Sequence, residues 1–265
     1  RTHIAWRDNK ITGMWIGIDD TDSPRGRCPT YLGAVLILRL LARGFSLREA
    51  RLIRLNPNVP WKTRGNAALS LEVEGDAGTA FDMACRCVEE LADLQAEGTE
   101  PGVAVSHAKP PAGFYEKALR SFCETGEAVE VLDAVGARYR GWKGGRGLIG
   151  AAAAMASDLP DFTWELLVYR QPRFWTSRRT IDLESFFLAD AATGPATWDT
   201  VDRENNLVVC SPHTPDPVLF GIRGESPLSV AHARTFIRAE PAGLEDLSDA
   251  SRAFALDPNR IYLNL

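Results

Sequence analysis

The chain holds 265 residues, 45% hydrophobic and 25% charged, with a formal net charge of −5. That is enough for one large or two modest globular domains, and the acidic balance argues against a dedicated nucleic-acid module without excluding a local basic patch. The longest apolar run, residues 32–42, is broken by Arg39 and too short to span a membrane; the five scattered cysteines form no CxxC pair, which argues against a zinc ribbon and for a reduced, cytoplasmic setting.

Residues 1–13 read as an extension ahead of Met14. Residues 14–18 (MWIGI) then read as a buried strand, followed by an acidic loop, DDTDS. The helical spacing of TYLGAVLILRLLARG predicts a helix stopped at Gly44, where a glycine C-cap fits. ARLIRLNP and NAALSLEVEG predict two strands joined by NVPWKTRG. TAFDMACRCVEELADLQ predicts an amphipathic helix that packs Cys85 and Cys87, PGVAVSHA a short strand, and AGFYEKALRSFCETG one helix. GWKGGRGLIGAAAAMAS is a glycine-rich turn running into an alanine-rich helix. The alternation predicts a layered α/β domain, with DLPD near residue 160 as its junction. Beyond it, a strand, a helix, a strand pair or one long bent strand, a strand, a helix and a final strand (RIYLNL) follow; with the bent strand counted as one, the order is βαββαβ, the ferredoxin-like pattern.

Several segments carry candidate chemistry. Asp19, Asp20 and Asp22 crowd the end of an apolar strand, and like charges there call for a cation. Magnesium takes hard oxygen ligands, often one or two carboxylates completed by water and phosphate. The alternative is a solvated, capped turn. Lys62 and Arg64 sit in a Pro- and Gly-bounded loop where an ammonium and a guanidinium suit phosphate oxygens, unless they are a plain basic turn. His107 and Lys109 follow a strand end, where a histidine is as readily structural. In RGWKGGRGLIG, Gly144, Gly145 and Gly147 let backbone N–H groups approach an anion ahead of a helix N-terminus, and Lys143 and Arg146 add positive charge; no Walker A spacing is present. Cys28 stands beside the acidic loop just before a helix, where a thiolate is stabilised. Late in the chain, Asp216, Arg223 and Glu225 surround a strand end, where the carboxylates could hold a cationic amine.

GIDDTDSPRGRCPTYL, NPNVPWKTRGNAA, GRGLIGAAAA and PDPVLFGIRGE together resemble the archaeal isoleucine-tRNA 2-agmatinylcytidine synthetase family, in the same order and over most of the chain. The resemblance implies a kinase-like ATP- and Mg2+-binding domain over residues 14–160 and a ferredoxin-like domain over 161–265. It further implies that the C2 carbonyl oxygen of a tRNA cytidine is phosphorylated and the phosphate displaced by agmatine. Asp19, Asp20 and Asp22 would then be the metal and nucleotide carboxylates, Lys62, Arg64 and the 144–147 loop phosphate contacts, and the segment from Asp216 to Arg223 part of the amine side. The family pattern reads G-M-C-T-T-Y-L, and its first threonine is the one that becomes phosphorylated. Here Pro29 stands at that position, leaving Thr30 as a substitute acceptor.

The family pattern continues into an OB-fold and a four-cysteine zinc ribbon that hold tRNA, and these residues do not include them. With the acidic charge, that leaves two expectations: a fragment of a longer tRNA enzyme, or a short relative that activates a small carbonyl compound and couples it to an amine. A small-molecule kinase without amine coupling and a non-catalytic nucleotide-binding module are the competing classes.

Overall fold

The computed structural model describes residues 13–23, 27, 29–63, 66–158, 164–165, 168–170, 180–181, 183–198, 201–202, 207–208, 223–236, 239–240 and 244–246. Its first half runs β1 (Gly13–Asp19), α1 (Pro29–Ala42), β2 (Ser46–Arg54), β3 (Ala67–Glu74), α2 (Ala77–Leu91), β4 (Gly102–Ser106), α3 (Ala112–Arg120), α4 (Thr125–Ala134), β5 (Arg138–Gly141) and α5 (Gly147–Ala156). The strands form one sheet in the order β2-β3-β1-β4-β5, every neighbouring pair antiparallel. β1 is central. The winding of β1 to β4 is itself βαββαβ, so the pattern expected only after residue 160 also builds the first sheet, with β5 added at one edge.

The two-residue period of β1 explains the layering. Met14, Ile16 and Ile18 are fully buried against α1 and α2, together with Leu69, Leu71, Val103 and Val105 from the neighbouring strands. Burying each such side chain stabilises the fold by about 1.5–3 kcal/mol. The α2 residues Ala80, Met83, Ala84, Cys87 and Val88 recur at helical spacing on that face, and Asp76 caps the helix by accepting the Thr79 N–H at 2.7 Å. Cys85 and Cys87 are both packed in this core, and burial pushes the Cys85 thiol up to about 11. At the end of α1, Gly44 adopts φ 84° and the Phe45 N–H closes back on the Leu40 carbonyl at 3.1 Å, the glycine stop the sequence predicts.

The other face belongs to α3, α4 and α5. α5 lies across β1, β3 and β4, with residues 151–154 wholly buried. Small side chains let the helix seat close to the sheet. A Cβ on Gly17 would stand 2.2 Å from the Ala151 carbonyl oxygen, so β1 needs a glycine there. Two elements differ from expectation. The single helix predicted over 112–126 breaks after Arg120, because Glu124 and Glu127 form a capping box that starts α4 afresh. β5, with the sequence RYRG, is an edge strand with no apolar alternation to announce it.

The second half contains β6 (Trp164–Glu165), β7 (Val168–Arg170), β8 (Thr180–Ile181), α6 (Leu183–Thr193), β9 (Thr197–Trp198), β10 (Val201–Asp202), β11 (Leu207–Val208), β12 (Arg223–Gly224), α7 (Pro227–Phe236), β13 (Ala239–Glu240) and β14 (Leu244–Asp246). β6, β12 and β9 form an antiparallel sheet in that order, and α6 packs on α7. β6-α6-β9-β12-α7 therefore has the β1-β3-β2 arrangement of the first sheet, matching the first five elements of the expected pattern. The strand predicted for RIYLNL lies outside the described residues. β10 pairs with β11, β13 with β8 and β14 with β7.

Candidate functional site

Three backbone elements meet where β1 ends. Asp19 lies opposite Gly102 at the start of β4, and the N-terminus of α5 sits over both. Glycine makes this meeting possible. A Cβ on Gly147 would stand 2.4 Å from the Gly102 nitrogen, and one on Gly150 would stand 1.8 Å from Asp19 Oδ2. The Asp19 carboxyl is thereby held beside the first turn of a helix, whose free N–H groups and dipole favour negative charge. Burial and then the neighbouring Asp20 nevertheless push its pKa well above the usual carboxylate range.

Asp20 turns the chain with φ 56°, a left-handed conformation that aspartate tolerates better than most residues. Its Oδ2 accepts from Arg146 Nη2 at 2.6 Å and from the Glu100 N–H at 3.3 Å. Burial raises its pKa, with Arg146 opposing the shift. The acidic loop is stitched to the segment between α2 and β4. Ser23 donates to the buried Asp93 at 2.5 Å, the Asp93 N–H donates to the Thr21 carbonyl at 3.2 Å, and the Thr99 hydroxyl donates to the Asp22 carbonyl at 2.6 Å. That same segment receives Arg146 on the Gly98 carbonyl and Lys143 on the Ala96 carbonyl, both at 2.5 Å. One loop therefore ties the acidic turn to the glycine-rich turn.

A pocket opens over Asp19, Asp20 and Asp22. Pro29 and Thr30, in the first turn of α1, form one side, so a second helix N-terminus borders the acids. Pro29 suits the first helical position, where no N–H is needed. Arg54, Trp61, Lys62, Thr63 and Asn66 come from the end of β2 and the following loop, and Ser121 and Cys123 from the break after α3. Trp61 and Phe122 are 47% and 58% exposed with ring centroids 6.3 Å apart, giving this side of the molecule an apolar rim.

Of the residues singled out in the sequence, Asp19, Asp20, Asp22, Thr30, Lys62 and Arg146 line this pocket. Gly147 packs directly beneath it. Lys143, Gly144 and Gly145 form the turn before α5; Lys143 is engaged on the Ala96 carbonyl, and Gly144 faces Glu100. His107 and Lys109 are not brought here. They follow the far end of β4, where Nδ1 of His107 lies 3.1 Å from the Gly13 carbonyl oxygen. Lys109 lies 4.1 Å from the Trp15 ring centroid and donates to the Ser157 carbonyl at 3.0 Å. Glu225 is exposed just after β12, in which Arg223 pairs with Glu165 and Trp198. Cys28, Arg64 and Asp216 fall outside the described residues. The sequence reading missed Arg54, Trp61, Asn66, Ser121 and Cys123; Trp61 and Asn66 flank the basic loop of Lys62 and Arg64, and the other three carry no local signal.

Asp19, Asp20 and Asp22 do not close into a cage on their own. Among the described residues, no three His, Cys, Asp or Glu side chains gather as one. Asp20 is turned to Arg146, and Asp19 lies under α5. The donor set, hard carboxylate oxygens beside two helix N-termini, still fits magnesium, which needs only one or two carboxylates when phosphate completes its shell.

Residues 15–143 match the family model of the TiaS TCKD domain, and residues 145–246 that of the TiaS FLD domain. The chain belongs to the TiaS family. The isoleucine-tRNA 2-agmatinylcytidine synthetase TiaS of Methanocorpusculum labreanum is 46% identical over 243 residues, covering 91% of this chain and 59% of the relative. That of Methanosarcina mazei is 47% identical over 240 residues, covering 86% and 56%. A solved complex of TiaS with isoleucine tRNA and ATP superposes with a TM-score of 0.79 at 41% identity, over 88% of this chain and 57% of the other. A complex of TiaS with the same tRNA, AMPCPP and agmatine gives 0.78 at 40% identity, over 88% and 58%. The chain thus spans less than three fifths of the length of these relatives. Their names carry tRNA and not a small carbonyl compound, so in these relatives the shared domains belong to a tRNA enzyme. Net charge averages over a whole surface and says nothing of a local patch.

Proposed function

We propose that this chain carries the nucleotide-activating part of a TiaS enzyme, which uses ATP to couple agmatine to a cytidine of an isoleucine tRNA. The observation that carries the reading is the junction of Asp19, Asp20 and Asp22 with the first turns of α1 and α5 and with Arg146, inside one pocket. Relatives of this family have been crystallised with ATP and agmatine. The C2 carbonyl oxygen of the base would take a phosphoryl group from ATP, releasing ADP. The amine of agmatine would then form the C–N bond at C2 as phosphate leaves with the oxygen, a proton passing to solvent.

Chemistry of this kind depends on positioning and on neutralising phosphate charge. Asp19 and Asp20, with Asp22 beside them, would hold Mg2+, which shields the phosphate oxygens when bound. Lys62, Arg64 and the 144–147 turn would contact phosphate, and the first turns of α1 and α5 would direct N–H groups at it. Thr30, buried at the pocket wall beside Pro29, would supply the hydroxyl nearest in sequence to the position of the family's threonine. Trp61 and Phe122 would exclude water from the rim. Asp216, Arg223 and Glu225 would serve the amine. The same reading divides the chain at about residue 160, supported by the burial of α5 on the first sheet.

Calorimetry with Mg-ATP, followed by incorporation of labelled agmatine into an isoleucine tRNA transcript, tests the proposal. Binding that is lost in Asp20→Ala, and labelling that needs both ATP and this chain, are expected. A wild-type chain indifferent to Mg-ATP overturns it.

A further inference from the structure

Arg146 stands at the N-cap of α5 with no capping hydrogen bond from its side chain. Helix physics disfavours it there. An N-cap prefers Ser, Thr, Asp or Asn, and a cation opposes the positive end of the helix dipole. Where a local preference is broken, a functional constraint is the first explanation to test. The guanidinium is committed instead to Asp20 Oδ2 at 2.6 Å and the Gly98 carbonyl at 2.5 Å, with Glu100 3.7 Å away and the Trp61 ring centroid 5.8 Å away. The Arg146 and Asp20 side chains are only 20% and 15% exposed, so water screens this pair poorly.

Resting on the nucleotide-site reading above, we infer that Arg146 is an exchangeable counter-ion that makes metal and nucleotide binding interdependent. Without nucleotide, Arg146 fills the place of the cation beside Asp20. A divalent ion arriving alone must displace a poorly screened guanidinium and leave two positive groups side by side. A divalent ion arriving with phosphate brings the anion onto which Arg146 can fork, so Asp20 is handed to the metal as Arg146 passes to phosphate oxygens. Arg146 thus has two parts in the exchange, releasing Asp20 to the metal and itself binding phosphate. Its pairing with Gly98 and Glu100 means that the exchange is felt along the loop that also holds Thr21, Asp22 and Ser23.

The experiment is calorimetric titration of the full chain with Mn2+ alone and with Mn2+ in the presence of ATP, for wild type, Arg146→Met and Arg146→Lys. A side chain that merely braces the loop would, on removal, weaken every affinity. The exchange role requires Arg146→Met to bind Mn2+ alone about 10-fold more tightly than wild type while the strengthening of Mn2+ by ATP shrinks about 10-fold, since the coupling is reciprocal. Arg146→Lys keeps the charge and should stay close to wild type with Mn2+ alone. Should Arg146→Met fail to fold by circular dichroism, Arg146→Gln, which can still donate to the Gly98 carbonyl, carries the same expectation. Mn2+ affinity unchanged or weakened in the neutral variant, with ATP coupling intact, overturns the inference and leaves the nucleotide site standing. Absence of any Mg-ATP binding in wild type overturns both.

Discussion

The two ends of β1 are both charged and both capped by α5, yet they are built for opposite purposes. At the Gly13 end, Lys109 donates to the Ser157 carbonyl just past the C-terminus of α5 and covers the Trp15 ring. That is the arrangement a helix dipole favours, and the Lys109 ammonium has its partners within the protein. At the Asp19 end, acids gather beside helix N-termini, where they suit the dipole, and the pKa values of Asp19 and Asp20 stay above the usual carboxylate value even though Arg146 meets Asp20. On the proposed reading, that end is the one set up for an added ligand. The presence of charge distinguishes nothing here; what does is its direction relative to the helix and the shift it leaves on the carboxyls.

The sharpest way to break this contrast is to exchange mutations between the ends. Asp20→Ala should weaken Mg-ATP binding by about 100-fold or more, in line with loss of a charged contact to a metal–phosphate group. His107→Ala, about six strand residues away, should leave it within about twofold, as for independent sites. Equal losses in the two variants, measured by calorimetry, would erase the distinction between the ends. Gly17→Ala comes next in size. Its Cβ would stand 2.2 Å from the Ala151 carbonyl oxygen, backbone that cannot move without shifting α5. Overpacking of this kind should cost about 2–3 kcal/mol in denaturant unfolding, and should weaken Mg-ATP binding because the seat of α5 defines the pocket.

Much of the fold was legible in the sequence because local signals were strong. β1 to β3, α1 and α2 carry clear periodicity, β4 and α5 announce themselves as short apolar and alanine-rich runs, and the stop at Gly44 is a glycine in the left-handed region. α4 was hidden because the pattern of α3 reads on past residue 120 and only a capping box resets it. The antiparallel order of the sheet depends on pairings distant in sequence. The site was legible as far as its charges and glycines go: Asp19, Asp20, Asp22, Thr30, Lys62 and Arg146 share one pocket. His107 and Lys109 looked equivalent because β4 is only five residues long, and nothing local says which end of a short strand meets the acids. The Arg146–Asp20 pair joins residues 126 positions apart, and Trp61 and Phe122 meet only through the loop that follows β2.

Lys109→Met sharpens the comparison with a smaller effect. It removes an ammonium over Trp15 and a donor to Ser157, and should lower stability by about 1 kcal/mol, lowering Tm by about 3 °C. Mg-ATP affinity should not change. A loss of nucleotide binding with stability intact would mean that the Gly13 end takes part in ligand binding after all.

The smallest effect is the most diagnostic of the Asp19 end. Burial and the Asp20 charge raise the Asp19 pKa in the folded chain above its unfolded value. The native state then holds the Asp19 proton at pH values where the unfolded chain has released it, so this residue subtracts stability as pH rises above about 4 and restores it as pH falls. In the absence of metal and nucleotide, Asp19→Asn should melt about 2 °C higher than wild type at neutral pH, and the difference should close on acidification. Adding Mg-ATP should reverse the order, since a ligand that binds only the native wild type raises its Tm by mass action. If Asp19→Asn is instead less stable at neutral pH without ligand, the Asp19 charge is already balanced within the fold, and the two ends of β1 are more alike than their helix termini imply.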